Sequence, residues 1–291
     1  MTRTYGIALL LLFALTPTVW GDDAPPEIIK QWRPLPGELF EVAGRPAFLV
    51  RPAKPADGNP WVLYAPTFRG SLPVEKEEGW MFGHFLRAGI AVAGVDVGES
   101  YGSPDGRTAF TALYDKLTRG TGSSKNEPLT QGFVSPGLSK KVCLLARSRG
   151  GLMVYNWAAE NPDKVACIAG IYPVLDLTTY PGLAKACGAY KLDEAQLRDK
   201  LNEHNPVERL EPLAKARVPI FHIHGNKDTV VPYEENAAEP ARRYKAQGGD
   251  MQVLMMKDQG HSHWPGFFHN QELVDFVLKN AGAALILRRM E

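Results

Sequence analysis

The stretch Val142-Cys143-Leu144-Leu145-Ala146-Arg147-Ser148-Arg149-Gly150-Gly151-Leu152 decides the fold. Val142 to Ala146 is a continuous apolar run, the pattern of a strand buried on both faces. From Leu152 the period changes. Leu152, Tyr155 and Ala159 recur at helical spacing, and Asn161-Pro162 ends the helix because proline cannot continue it. A strand therefore meets a helix at Ser148 with almost no loop between them. So tight a turn pushes the serine hydroxyl out at the top of a sheet and aims the next backbone N–H, that of Arg149, at the same spot. The turn needs small residues two before and two after the serine, and Ala146 and Gly150 meet that need. The pattern is A-x-S-x-G, with alanine where G-x-S-x-G has glycine. A chemically idle strand–helix turn stays open as the alternative at this point. A phosphate-holding turn is a further one, but nothing in the chain matches G-x-x-x-x-G-K-[ST].

Working outward, strands and helices alternate. Leu39–Val42 and Ala47–Val50 flank Gly44 as a hairpin, and Trp61–Ala65 is the first central strand. A helix over Gly79–Ala88, a strand over Ile90–Asp96 and a helix over Arg107–Leu117 follow. After the Ser148 unit come strands over Lys164–Tyr172, Val218–His224 and Met251–Met256. Helices are expected over Glu234–Gln247 and Gln271–Asn280. Such alternation predicts an α/β fold: one domain over residues 38–282, with a mostly parallel sheet covered by helices on both faces. Its functional loops belong at the carboxyl ends of the strands. Arg119–Pro128 is polar and glycine-rich, an excursion. Asp176–Arg217 is longer than a simple crossover, with helical patterning near Glu194–Leu201 and Val207–Ala214. It reads as a small cap over the site or as solvent-facing packing.

Met1–Gly21 reads as a secretory signal peptide. Arg3 is its charged start, Ile7–Leu15 its apolar run and Val19-Trp20-Gly21 its cleavage site. An uncleaved anchor is the alternative, although the apolar run is too short to span a bilayer. Asp22–Gly37 is a proline- and acid-rich leader, and residues 283–291 form a tail. The expected location is secreted or periplasmic. Of 33 basic residues only Arg3 falls in the first 21, so the remainder balances the 32 acidic ones. No basic field exists to attract nucleic acid or anionic lipid. Cys143, Cys167 and Cys187 are three, so one is unpaired in any arrangement. Buried free thiols are the simpler reading, and the spacings give no zinc pattern.

A serine hydroxyl is a weak nucleophile at neutral pH, so it needs a base beside it and an acid that orients the base. Both should follow later strands. Ile220–His224 runs into Gly225-Asn226-Lys227-Asp228-Thr229-Val230-Val231-Pro232, and Met251–Met256 runs into Lys257-Asp258-Gln259-Gly260-His261. Each candidate sits just past a strand end, in the order Ser, Asp, His. The chain thus resembles the α/β-hydrolase superfamily over about residues 38–282. Ala-Arg-Ser-Arg-Gly-Gly is similar to its nucleophile elbow, His-Gly-Asn-Lys-Asp-Thr-Val-Val-Pro to its acid loop and Gln-Gly-His to its histidine loop. The resemblance implies Ser148 as nucleophile, His261 as general base and then acid, and Asp228 as the group orienting His261. Asp176 is the rival acid and His263 the rival base; His222 and His224 read as structural.

The resemblance also places the second oxyanion donor after the first central strand. There Pro66-Thr67 stands where the family has His-Gly. By position the donor is the N–H of Phe68, with that of Arg149 opposite and Thr67 as fallback. Glu99, Tyr101, Arg147 and Trp264 are candidate substrate contacts. Arg149 directly after the serine is similar to the arrangement in glucuronoyl esterases, where the arginine side chain helps the oxyanion. The implied activity is hydrolysis of a carboxylic ester, an ester on a carbohydrate included, with no metal or organic cofactor. A peptidase similar to the prolyl oligopeptidase group is the alternative: Ser-x-Gly-Gly and the acid loop fit it, but 291 residues leave no room for the propeller many members carry. A non-catalytic binding protein is the reading from another class.

Overall fold

The computed structural model describes residues 37–68, 70–119 and 137–283. The expected signal peptide, the leader up to Pro36, the excursion beyond Arg119 and the tail from residue 284 lie outside the described residues.

Among the described residues eight strands form one sheet. They are β1 (Glu38–Val42), β2 (Arg45–Val50), β3 (Trp61–Ala65), β4 (Ala91–Val95), β5 (Val142–Arg147), β6 (Val165–Ile171), β7 (Ile220–Gly225) and β8 (Met251–Met256). Their order is β1-β2-β4-β3-β5-β6-β7-β8. β1 and β2 pair antiparallel, as do β2 and β4, and every later pairing is parallel. The Ser148 strand, β5, is central: Val62 to Ala65 align with Cys143 to Ala146 on one side, and Cys143 to Arg147 with Cys167 to Ile171 on the other.

All six residues of β5 are buried, because alternate side chains enter two different cores. Leu144 and Ala146 pack with Leu63, Phe110 and Trp157 under helices α2 (Pro104–Arg119) and α3 (Gly150–Glu160). Cys143 and Leu145 pack with Tyr64, Phe82 and Val274 under α1 (Glu75–Arg87) and, late in the chain, the helix Gln271–Asn280. The helices therefore cover both faces. All three cysteines are free thiols, with Cys143 and Cys167 aligned across β5 and β6.

Three helix expectations need correction. α1 begins at Glu75, four residues before the expected Gly79. Its first turn holds Glu75, Glu77 and Glu78, which favour the positive end of the helix dipole, and the Glu78 carboxylate accepts the Val74 N–H at 2.7 Å. The helix expected over Glu234–Gln247 is a π-helical turn, Glu234–Ala238, running into an α-helix, Glu239–Ala246, with Pro240 in its first turn. The helix expected over Val207–Ala214 is two pieces, Pro206–Glu208 and Glu211–Lys215. Pro212 is tolerated only in a first turn, so it sets the start of the second piece.

Residues 176–217 fold as short helices over a third apolar cluster, in which Leu177, Leu183, Tyr190 and Leu197 meet Leu152 of α3 and Val231. Three buried asparagines tie this layer down. Asn236 Oδ1 accepts the N–H groups of Leu175 and Asp176, each at 2.9 Å. Asn205 Oδ1 accepts that of Leu177 at 2.8 Å, and Asn156 donates to the His204 carbonyl at 2.7 Å. Among the described residues no helix is long and apolar enough to cross a membrane.

Candidate active site

Ser148 follows the last residue of β5 and has φ 51°, a left-handed conformation that a side chain rarely adopts. The turn is held from three sides. Ser148 N–H donates to the Ile171 carbonyl at 3.0 Å, and the Ser148 carbonyl accepts Gly151 N–H at 2.9 Å and Val174 N–H at 2.8 Å. The small residue two places on has a specific neighbour: a Cβ at Gly150 would lie 2.1 Å from the Ala65 carbonyl oxygen.

The Ser148 hydroxyl lies 3.0 Å from His261 Nε2, and His261 Nδ1 lies 2.8 Å from Asp228 Oδ2. A carboxylate only accepts, so Nδ1 carries the proton and Nε2 is left with a lone pair toward the serine. The other Asp228 oxygen accepts the N–H groups of Val230 at 2.9 Å and Val231 at 2.8 Å. Burial alone would raise the Asp228 carboxyl. The His261 hydrogen bond and the two backbone donors outweigh it and hold the group below the usual carboxylate range, so it is ionised. His224, four residues earlier, donates from Nε2 to the Val231 carbonyl at 2.8 Å and fixes the same loop. Burial keeps its imidazole low and neutral.

The rivals are engaged elsewhere. Asp176 Oδ1 accepts from the N–H and hydroxyl of Thr178 and from Asn205, closing a local turn. His263 bonds Arg147 and Glu77. His222 is fully buried against the Tyr155 hydroxyl at 2.7 Å.

Arg149 is the N-cap of α3, whose first N–H groups have no partner within the helix. The position assigned to the second donor differs from expectation. Phe68 N–H donates to the Leu72 carbonyl at 3.1 Å, closing a small turn, and is not free for an oxyanion. The aromatic ring has another use: the Arg149 guanidinium lies over it at 4.8 Å and reaches Glu99 at 3.0 Å. Arg149 and Glu99 are both partly exposed, so this pair borders the open side of the site. Tyr101 is 5% exposed, and its carbonyl accepts the Tyr190 hydroxyl at 2.6 Å. Burial first, then the Glu99 charge, raises its phenol. Trp264 stands 40% exposed on the histidine loop, edge-on to Phe267.

Arg147 is the other correction. It is 6% exposed and does not line an open cleft. Its side chain points into the α1 side, where Nη1 donates to Glu78 Oε1 at 2.7 Å. Glu77 Oε2 is 2.6 Å from the same nitrogen, a charge contact outside hydrogen-bond geometry. Tyr64 donates to the same Glu78 oxygen at 2.8 Å. Burial opposes the Arg147 charge, but Tyr64, Glu78, Tyr172 and Glu77 more than offset it, and the guanidinium stays protonated. Sequence patterning missed Glu77, Glu78 and Tyr172. The run of acids ahead of Gly79 was the available signal for the first two. Tyr172 follows the last residue of β6 and lays its ring 4.3 Å from that of His261. Among the described residues no group of three or more His, Cys, Asp or Glu is arranged to hold a metal ion.

The model of the prolyl oligopeptidase family matches residues 130–281, just over half of the chain. The chain belongs to the prolyl oligopeptidase family. The match spans the β5–α3 turn, the acid loop and the histidine loop, and it makes the chain a member of a serine hydrolase superfamily. No curated protein matches the chain in sequence.

Solved structures share the fold at low identity. A puromycin-hydrolysing peptidase from Mycobacterium tuberculosis is 16% identical, with a TM-score of 0.62 over 85% of this chain and 40% of its own. The chain thus spans about 40% of the length of that enzyme. Est1E from Butyrivibrio proteoclasticus is 16% identical, with a TM-score of 0.57 over 84% of this chain and 99% of its own. An S-formylglutathione hydrolase from Agrobacterium tumefaciens is 14% identical, with a TM-score of 0.58 over 85% and 94%. These likenesses concern the α/β-hydrolase fold that the prolyl oligopeptidase family shares.

Proposed function

We propose that the protein is a serine hydrolase that cleaves a carboxylic ester, an ester on a carbohydrate included, through an acyl-enzyme. The observation that carries this reading is the hydrogen-bonded line from Ser148 Oγ to His261 Nε2 at 3.0 Å and from His261 Nδ1 to Asp228 at 2.8 Å. His261 takes the hydroxyl proton as Ser148 Oγ bonds to the carbonyl carbon, and the Asp228 carboxylate stabilises the imidazolium. The oxyanion faces the Arg149 N–H and the guanidinium of the same residue. Collapse expels the alcohol, which takes the proton back from His261. Water then repeats the sequence on the acyl-enzyme, releases the acid and restores Ser148. We also propose, from Arg3, Ile7–Leu15 and Val19–Gly21, that the protein is exported and its first 21 residues removed.

The family match favours a second reading, peptidase activity. The ester is preferred on physical grounds. Phe68 N–H, the second donor expected by position, is committed to Leu72 and is lost to the oxyanion. A missing donor costs about 3–4 kcal/mol in the transition state. An ester, with its better leaving group, tolerates that loss more readily than an amide.

Ser148→Ala should lower kcat on p-nitrophenyl acetate by roughly 10⁶-fold and abolish labelling by a fluorophosphonate. Asp228→Asn should lower kcat by roughly 10⁴-fold through the wrong imidazole tautomer. Undiminished labelling of Ser148→Ala would refute the assignment. Faster turnover of aminoacyl amides than of matched esters would favour the peptidase reading.

A further inference from the structure

We infer that Arg147 and His263 form a strut that sets the spacing between Ser148 and His261, so that His263 is a positioning residue for the reaction. The inference rests on the hydrolase reading above. Arg147 is joined covalently to Ser148, so whatever fixes its guanidinium is referenced to the nucleophile. The guanidinium is held from α1 by Glu78 at 2.7 Å, and the ring of Phe268 lies 4.9 Å from its carbon. Its Nη2 donates to His263 Nε2 at 2.9 Å, and His263 Nδ1 meets Glu77 Oε1 at 2.5 Å.

Arginine has donors only. His263 Nε2 must therefore accept, and Nδ1 carries the proton that goes to Glu77. The His263 lone pair is spent on Arg147, which removes it as a base toward Ser148 and makes it a tie. His263 stands two residues past His261, on a loop outside the sheet and outside any helix. Side chains supply the order there. Tyr172 donates to the Ser262 carbonyl at 3.2 Å and packs its ring 4.3 Å from His261, while His263 closes the loop onto Arg147. One guanidinium thus reaches the nucleophile through the chain and the base through His263. An error of about 1 Å between the two can cost roughly a hundredfold in rate.

The test compares wild-type protein with His263→Ala and His263→Gln. The readouts are kcat and KM on p-nitrophenyl acetate and the rate of labelling by a fluorophosphonate. The His263 side chain is 67% exposed, so both variants are expected to fold, with thermal midpoints reporting it. His263→Ala should lose about 10- to 100-fold in kcat and in labelling rate with KM unchanged. A glutamine oxygen reaches the place of Nε2 and accepts from Arg147, so His263→Gln should recover most of that loss. Wild-type labelling matched by His263→Ala overturns the strut alone, as does an alanine loss that glutamine fails to recover. A wild-type protein that takes no fluorophosphonate overturns the hydrolase reading and the strut together.

Discussion

His222 is 0% exposed on β7, with Nε2 on the Tyr155 hydroxyl and no partner at Nδ1. Burial pushes its imidazole down to about 3, with the neighbouring His224 adding to the effect. An unfolded histidine titrates near 6.5, so below that pH the unfolded chain binds a proton that the folded one refuses. Stability therefore falls as pH falls from about 6.5 toward 3, and at pH 5 this one residue costs about 2 kcal/mol. His222→Gln should reduce the pH dependence of stability by about one proton between pH 6 and 4, as read from urea unfolding at a series of pH values. An unchanged slope would show that the ring is not excluded from protonation. Asp228 is depressed instead. Its contribution is complete above the usual carboxylate range and is lost as pH falls through its folded value. Both residues make the fold acid-sensitive, in successive windows.

At the scale of elements, the β5–α3 turn depends on backbone meeting backbone. α3 starts against β3 so closely that Gly150 has no room for a methyl group beside the Ala65 carbonyl, which itself belongs to the strand β5 pairs with. Gly150→Ala forces the helix away from the sheet or the strand out of register. It should cost about 3 kcal/mol of stability by urea unfolding and slow fluorophosphonate labelling, because Ser148 moves with the helix start. A variant as stable as wild type would mean that the turn relaxes freely. The same closeness explains the left-handed Ser148: the chain must reverse from strand to helix within one residue.

Across the whole molecule, residues 176–217 are joined to the sheet by apolar packing and by asparagines whose partners lie far along the chain. Asn236 alone satisfies the N–H groups of Leu175 and Asp176, about sixty residues before it. Asn236→Ala leaves the buried Leu175 N–H and the part-buried Asp176 N–H unpaired, which should cost about 1–3 kcal/mol for the first and less for the second. Hydrogen exchange should speed up at Leu175 and Asp176 while the β5 amides remain protected. Equal exchange at those two amides in variant and wild type would sink the idea that the asparagine holds this layer.

The sequence by itself determined the strand succession, the two-faced covering of the sheet, the turn at Ser148 and the loops that carry Asp228 and His261. Each of these follows from burial, which a run of side chains reports locally: β5 is apolar from Val142 to Ala146 because both faces are covered, and the chain turns just beyond, where small residues follow the run. Only the tertiary structure decided which way Arg147 points, that Phe68 N–H is committed to Leu72, and that α1 begins with carboxylates aimed at the nucleophile strand. Those outcomes depend on partners that a local pattern does not contain. Glu78 stands 69 residues from Arg147, and His263 stands 116. A charge reads the same in sequence whether it meets water or a buried carboxylate, and its direction is fixed only when the layers close around it.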